Sequence, residues 1–192
     1  NEVMNDNELT WYMQELSMHG LGAETDFNNL LKTLNDPEMR QTRTVWNHLT
    51  SFLGHAAMIS KYLSPINPKG LKKDRMKLLR EKLNIDEKSE VLSRDARDNV
   101  EHFDERIDNW VGRNCTILEM VLDDREGYNY LQGNEKMVKR VLLHAELIFI
   151  SEKRDGSKFE LELQPLFDEV KRIRNEAETW IKSFSPYHFI YP

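Results

Sequence analysis

The sequence predicts a mainly α fold, a helical bundle with a small antiparallel β-hairpin or sheet inserted before the C-terminal helix. Three observations carry this. Apolar residues recur every three and four positions from Leu9 to Leu34, and again from Val45 to Leu63. The loop SPINPKG ends the second of these runs with two prolines and a glycine. The segment SKFELELQ alternates Phe159, Leu161 and Leu163 with Lys158, Glu160 and Glu162, a period of two that belongs to a half-buried strand.

The first helix is predicted at about 8 to 34, with Leu9, Leu16, Ala23 and Leu30 interleaved with Met13, Gly20, Phe27 and Leu34. Gly20 and Gly22 each weaken it by about 1 kcal/mol relative to Ala, so this is where it would kink. Asn35, Asp36 and Pro37 end it and start a second helix at about 37 to 63, striped by Val45, Leu49, Phe52, Ala56, Ile59 and Leu63. A basic helix follows at about 70 to 83. Residues 69–82 hold seven basic side chains against two acidic ones, the most positive segment of the chain. Asp86 is placed to cap a fourth helix at about 87 to 112, striped by Leu92, Ala96, Val100, Phe103, Ile107 and Trp110.

Beyond Gly112 the period changes. CTILEMVLDD fits a short strand, while residues 115–145 as a whole leave helix and strand both open. A hairpin is expected at about 146 to 163, with Asp155 and Gly156 as a two-residue turn pairing Ile150 with Leu161 and Ile148 with Leu163. The last helix, about 165 to 183, covers the apolar face of the hairpin through Leu166, Val170, Ile173, Ala177, Trp180 and Phe184. The tail SPYHFIYP is expected to dock by its aromatic rings.

The 192 residues, 39% of them apolar, suffice for one buried core, so a single domain spanning 1–192 is expected. The lone Cys115 excludes a disulfide framework and a cysteine-rich zinc site. No apolar run reaches the roughly 18 residues of a membrane span, and the N-terminal residues lack a signal-peptide plan, so a cytoplasmic location without membrane contact is expected. A net charge of −6 means that any nucleic-acid contact must come from a local basic surface.

Glycine-rich phosphate loops, GxSxG elbows and HExxH pairs are absent from the sequence. His48, His55 and His102 could meet across the bundle as a metal site, against the plainer reading of structural histidines; no metal and no cofactor is assigned. The densest polar cluster is RDARDNVEHFDERIDNW, residues 94–110. Within it Asp95, Asp98, His102, Glu105 and Asn109 share a helical face, an arrangement that by its charge density reads first as a solvated charged surface and second as a protonated imidazole acid.

Arg97 and His102 have the Arg-x4-His spacing, with Asp98 directly after the arginine. This resembles the signature of HEPN-domain proteins, small helical bundles, many of them metal-independent ribonucleases of toxin and defence systems. Arg43 and His48 repeat the spacing, but Thr44 stands where the family has Asn, Asp or His. The segments FLGHAAMISKYL, LLREKLNI and RDARDNVEHFDERIDNW also look like a set of uncharacterised bacterial proteins with this layout from about Val45 to Trp110.

The resemblance implies a metal-independent endoribonuclease in which the ribose 2′-hydroxyl attacks the adjacent phosphate. His102 would be general acid or base, Arg97 would stabilise the pentacoordinate phosphate, and Asp98 would orient one of them. On a straight helix Arg97 and His102 point about 140° apart, so a homodimer is expected to bring one subunit's arginine to the other's histidine. Lys72, Lys73, Arg75 and Arg80 are the expected RNA-backbone contacts, and an antitoxin or regulatory protein is the expected partner. Residues 95–108 carry six carboxylates, which repel a polyanion. The alternative is a non-catalytic HEPN-like binding or interaction module in which Arg97, Asp98 and His102 form an ion-pair network; a metal-dependent bundle enzyme is the third reading.

Overall fold

A computed structural model describes residues 4–112, 118–131 and 138–186. Its elements run α1 (Asp6–Asn35), α2 (Thr42–Leu63), α3 (Leu71–Lys82), a 3-10 turn (Glu90–Leu92), α4 (Arg94–Glu101) and α5 (Phe103–Gly112). There follow β1 (Leu118–Leu122), α6 (Arg125–Asn129), β2 (Val138–Leu143), β3 (Ile148–Glu152), β4 (Lys158–Glu162) and α7 (Leu163–Phe184). The fold is mainly α, with a four-stranded sheet before the last helix, as the patterning predicts. No helix among the described residues is long and apolar enough to cross a membrane. Cys115 and the aromatic tail residues 187–192 lie outside the described residues.

Helix α1 opens with a reciprocal cap: Glu8 N–H donates to Asn5 Oδ1 and Asn5 N–H donates to Glu8 Oε2, both at 2.9 Å. It then passes through Gly20 and Gly22 without a break. These glycines are contact points. A Cβ at Gly20 would sit 2.6 Å from Arg174 Cβ on α7, and one at Gly22 would sit 2.5 Å from the His55 ring on α2. Their small size lets α2 and α7 close on α1, and Leu9, Met13, Leu16, Phe27 and Leu30 are buried in the resulting core. Phe27 stacks on Phe167 at a ring separation of 4.1 Å.

Helix α2 starts five residues later than predicted. The Asp36 side chain accepts from Glu38 N–H, and Arg40 Nε donates to the Leu34 carbonyl, so Pro37 occupies a turn and not a first helical position. The predicted fourth helix is split. Asp86 Oδ1 accepts from Lys88 N–H, closing a turn that leads to the 3-10 segment, and the chain breaks again at His102 (φ −119°, ψ 27°). The split turns polar residues inward: Arg97, Asn99 and Arg106 are buried, whereas Ile107, predicted on the apolar stripe, is exposed; Phe184, predicted on the stripe of the last helix, is likewise exposed at the end of α7.

The sheet order is β1-β2-β3-β4, antiparallel from β2 to β4, with β1 added parallel to β2 at one edge. The run VKRVLLHAELIFIS is two strands and a turn, with Leu147 at φ 51°. Its near-continuous apolar character follows from burial on both faces. Leu142, Phe149 and Phe159 join the main core, while Val141, Leu143 and Ile150 pack with Met120, Leu122 and Tyr128.

The β3-β4 register differs by one from the prediction: Phe149 pairs with Leu161, Ile150 with Glu160 and Ile148 with Glu162. Lys153 N–H donates to the Ser157 carbonyl, leaving a three-residue loop of residues 154–156 with Gly156 at φ 85°. A three-residue loop shifts the pairing by one place relative to a two-residue turn.

Candidate functional site

Helix α4 and its C-cap residue carry the three residues singled out by their spacing and send them to different places. Arg97 is 2% exposed. Its Nη1 donates to the Ser64 carbonyl at 2.9 Å and to Ser60 Oγ at 3.3 Å, tying α4 to the last turn of α2, where carbonyls lack helical partners. Its Nε and Nη2 have no hydrogen-bond partner among the described residues. His102, at the end of α4, has a side chain 50% exposed, and its Nδ1 lies 3.4 Å from Glu105 Oε1. Asp98 lines a separate depression with Asp95, Arg106, Lys153, Arg154 and Asp155. Arg97 and His102 therefore share no described cavity within the chain.

Arg97 belongs to a cavity of about 260 Å³ between the end of α2, the start of α3 and α4. Lys61, Lys72, Arg75, Glu101, Pro65 and Ile66 complete its wall. Lys61 Nζ and Glu101 Oε1 are paired at 2.7 Å. The Arg75 guanidinium lies 5.4 Å from the Tyr12 ring centre and 5.2 Å from that of Tyr62. Tyr12 and Tyr62 meet edge to face.

The four predicted RNA-contact residues divide on α3. Lys72 and Lys73 are exposed. Arg75 is partly buried over the tyrosines, and Arg80 donates through Nε to the Leu63 carbonyl at 2.6 Å, a bond that holds α3 against α2.

Ser60 and Ser64 carried no signal in the sequence because they meet Arg97 only through folding, more than thirty positions away along the chain, and Lys61 joins the same cavity wall by that packing. Glu101 carried a signal, being four residues beyond Arg97 and so on the same helical face. Among the described residues no three His, Cys, Asp or Glu side chains come together as a metal-holding group. His55, one of the three histidines in the metal reading, is paired instead with His19, Nδ1 to Nδ1 at 3.0 Å.

No family model, no curated protein and no solved structure matches the chain.

Proposed function

We propose that the protein is a HEPN-like binding module that contacts RNA through its backbone and does not cleave it. The observation that carries this reading is the burial of Arg97. Its guanidinium is bonded to Ser64 and Ser60 inside the bundle, while His102 stands half-exposed on the outside. Cleavage would need both groups on one phosphate. Lys72 and Lys73, exposed on α3, serve as the phosphate contacts, with the strength of binding set by salt. The exposed carboxylates of α5, Asp104, Glu105 and Asp108, are then left to a protein partner, an antitoxin or regulator in the toxin-system setting.

The exposure of His102 favours a second reading, an endoribonuclease assembled in a homodimer, and one experiment separates the two. Purified protein is incubated with total RNA in EDTA, beside His102→Ala. Intact RNA in both, together with retained binding of an oligoribonucleotide bearing 5′- and 3′-hydroxyl ends, is the expected result. Replacing both Lys72 and Lys73 with Gln lowers that affinity and reduces the salt slope by about two. Cleavage that survives the chelator and disappears in His102→Ala overturns the binding-module reading.

A further inference from the structure

We propose that the cavity walled by Lys61, Lys72, Arg75 and Arg97 is a binding site for one phosphate monoester group. The proposal stands on this cavity and does not depend on whether His102 acts in catalysis.

Four cationic side chains and one carboxylate, Glu101, line the cavity. That carboxylate is already engaged by Lys61. Arg97 presents the strongest demand for an anion. One corner of its guanidinium is used, through Nη1, to hold the end of α2, and the Nε–Nη2 edge is left with no acceptor. At 2% exposure this is a buried positive charge with two unsatisfied donors, a costly arrangement unless a ligand completes it. The Nε–Nη2 edge is the parallel pair of donors that matches two oxygens of a phosphate.

Arg75 is held over Tyr12 and Tyr62, and its Nε also lacks a partner. Its position is thus set before any ligand arrives, which lowers the ordering cost of binding. Lys72 adds a third charge from the first turn of α3. The Lys61–Glu101 pair, its lysine about half-exposed, is part of the wall. On entry the phosphate competes with the Glu101 carboxylate for Lys61 and supplies the acceptors that Arg97 Nε and Nη2 lack. The volume of about 260 Å³ exceeds that of a bare phosphate and admits part of its carrier, either a small phosphorylated compound or the end of an RNA chain.

Calorimetry and thermal unfolding of the full chain test this with inorganic phosphate, sodium chloride at matched ionic strength, adenosine 5′-monophosphate and adenosine. Phosphate and the monophosphate are expected to bind saturably and raise the unfolding temperature, while chloride and adenosine do not. Lys72→Gln and Arg75→Gln are each expected to weaken binding by about tenfold, the loss of one charge-assisted contact. Arg97→Lys, which removes the paired donors, weakens it further. Glu101→Gln, which removes the competing carboxylate, tightens it. A 5′-phosphorylated oligoribonucleotide that outbinds its 5′-hydroxyl form more strongly than the monophosphate outbinds adenosine assigns the site to RNA ends; the reverse order assigns it to small phosphorylated compounds. Phosphate and chloride acting alike, or phosphate binding unchanged in Arg75→Gln and Lys72→Gln, overturns the proposal. The two α3 variants decide it even where Arg97→Lys fails to fold.

Discussion

The rings of His19 and His55 meet between α1 and α2 with their Nδ1 atoms 3.0 Å apart, and each turns its Nε2 toward a carboxylate. His19 Nε2 is 3.5 Å from Glu15, and His55 Nε2 is 3.6 Å from Asp26, which also accepts from Ser51 Oγ at 2.6 Å. A hydrogen bond between two Nδ1 atoms requires one donor and one acceptor, so only one of the two can carry a proton. Protonating both sets two N–H groups against each other at the place where Gly22 lets the helices close.

Acid should weaken the fold through His19 and His144. Burial, and then the adjacent His55, hold the His19 imidazole below its ordinary value of 6.5; burial and Arg40 do the same to His144. The unfolded chain therefore binds protons at pH values where the folded chain does not. The stability these histidines contribute is fully present above about pH 6.5 and declines as pH falls below it. Urea midpoints measured from about pH 7.5 down to about pH 5.5 should fall, and His19→Gln should make the fall shallower. An equal fall in the variant rules out His19 as a source.

Glycine replacements should split by position. Gly20→Ala places a methyl group against Arg174 Cβ, close to the α7 backbone and unable to swing away, and is expected to destabilise by about 1–3 kcal/mol. Gly54→Ala, on α2 with nothing within 4 Å of the new Cβ, should stabilise by about 0.5–1 kcal/mol. Thermal unfolding of the two variants checks both signs.

Glu152 holds the sheet to α4 and α5. Its carboxylate accepts from Lys139 Nζ at 3.0 Å and from Trp110 Nε1 at 2.9 Å, and its backbone carbonyl accepts from Asn99 Nδ2 at 3.1 Å. Burial on its own would raise the Glu152 carboxyl, but the bonds from Lys139 and Trp110 and the charge of Lys158 outweigh it and hold the group below 4.5. Its contribution is therefore present above about pH 4.5 and is lost as pH falls below that. Glu152→Gln leaves the buried Lys139 charge without its counterion and should cost about 3 kcal/mol in urea unfolding at neutral pH.

Arg140 tests planarity. Its guanidinium lies 4.4 Å from the Trp46 ring centre and 4.2 Å from that of Phe103, and pairs with Glu119. Arg140→Lys keeps the charge and loses the flat face, with an expected cost of about 1–2 kcal/mol by denaturant titration. An unchanged midpoint would show that the two ring contacts contribute nothing beyond charge.

Helices α1, α2 and α7 were legible because most of their buried positions are apolar and repeat at the helical period; α3, with only Leu79 buried, was legible from the SPINPKG loop before it and its run of basic residues. The region of α4 and α5 was not, because its buried positions are filled by Arg97, Asn99 and Arg106, and neither proline nor glycine marks the break at His102. The edge strand β1 pairs across an intervening helix, which no local pattern reports. Arg97 was found by its spacing from His102. What it touches was hidden, since Ser60 and Ser64 reach it only once α2 and α4 are packed.

Strand β4 ends at Glu162 and α7 begins at Leu163, with no connecting residue between them. This junction works as a fixed key: the strand's pleat dictates the rotational setting of the whole C-terminal rod. Adding one alanine there would rotate everything downstream by about 100°, swinging Val170, Ile173 and Ala177 out of the interior. The same alanine inserted in the loop of residues 154–156 would leave that setting alone, so a gap tolerated at one end of β4 should be ruinous at the other.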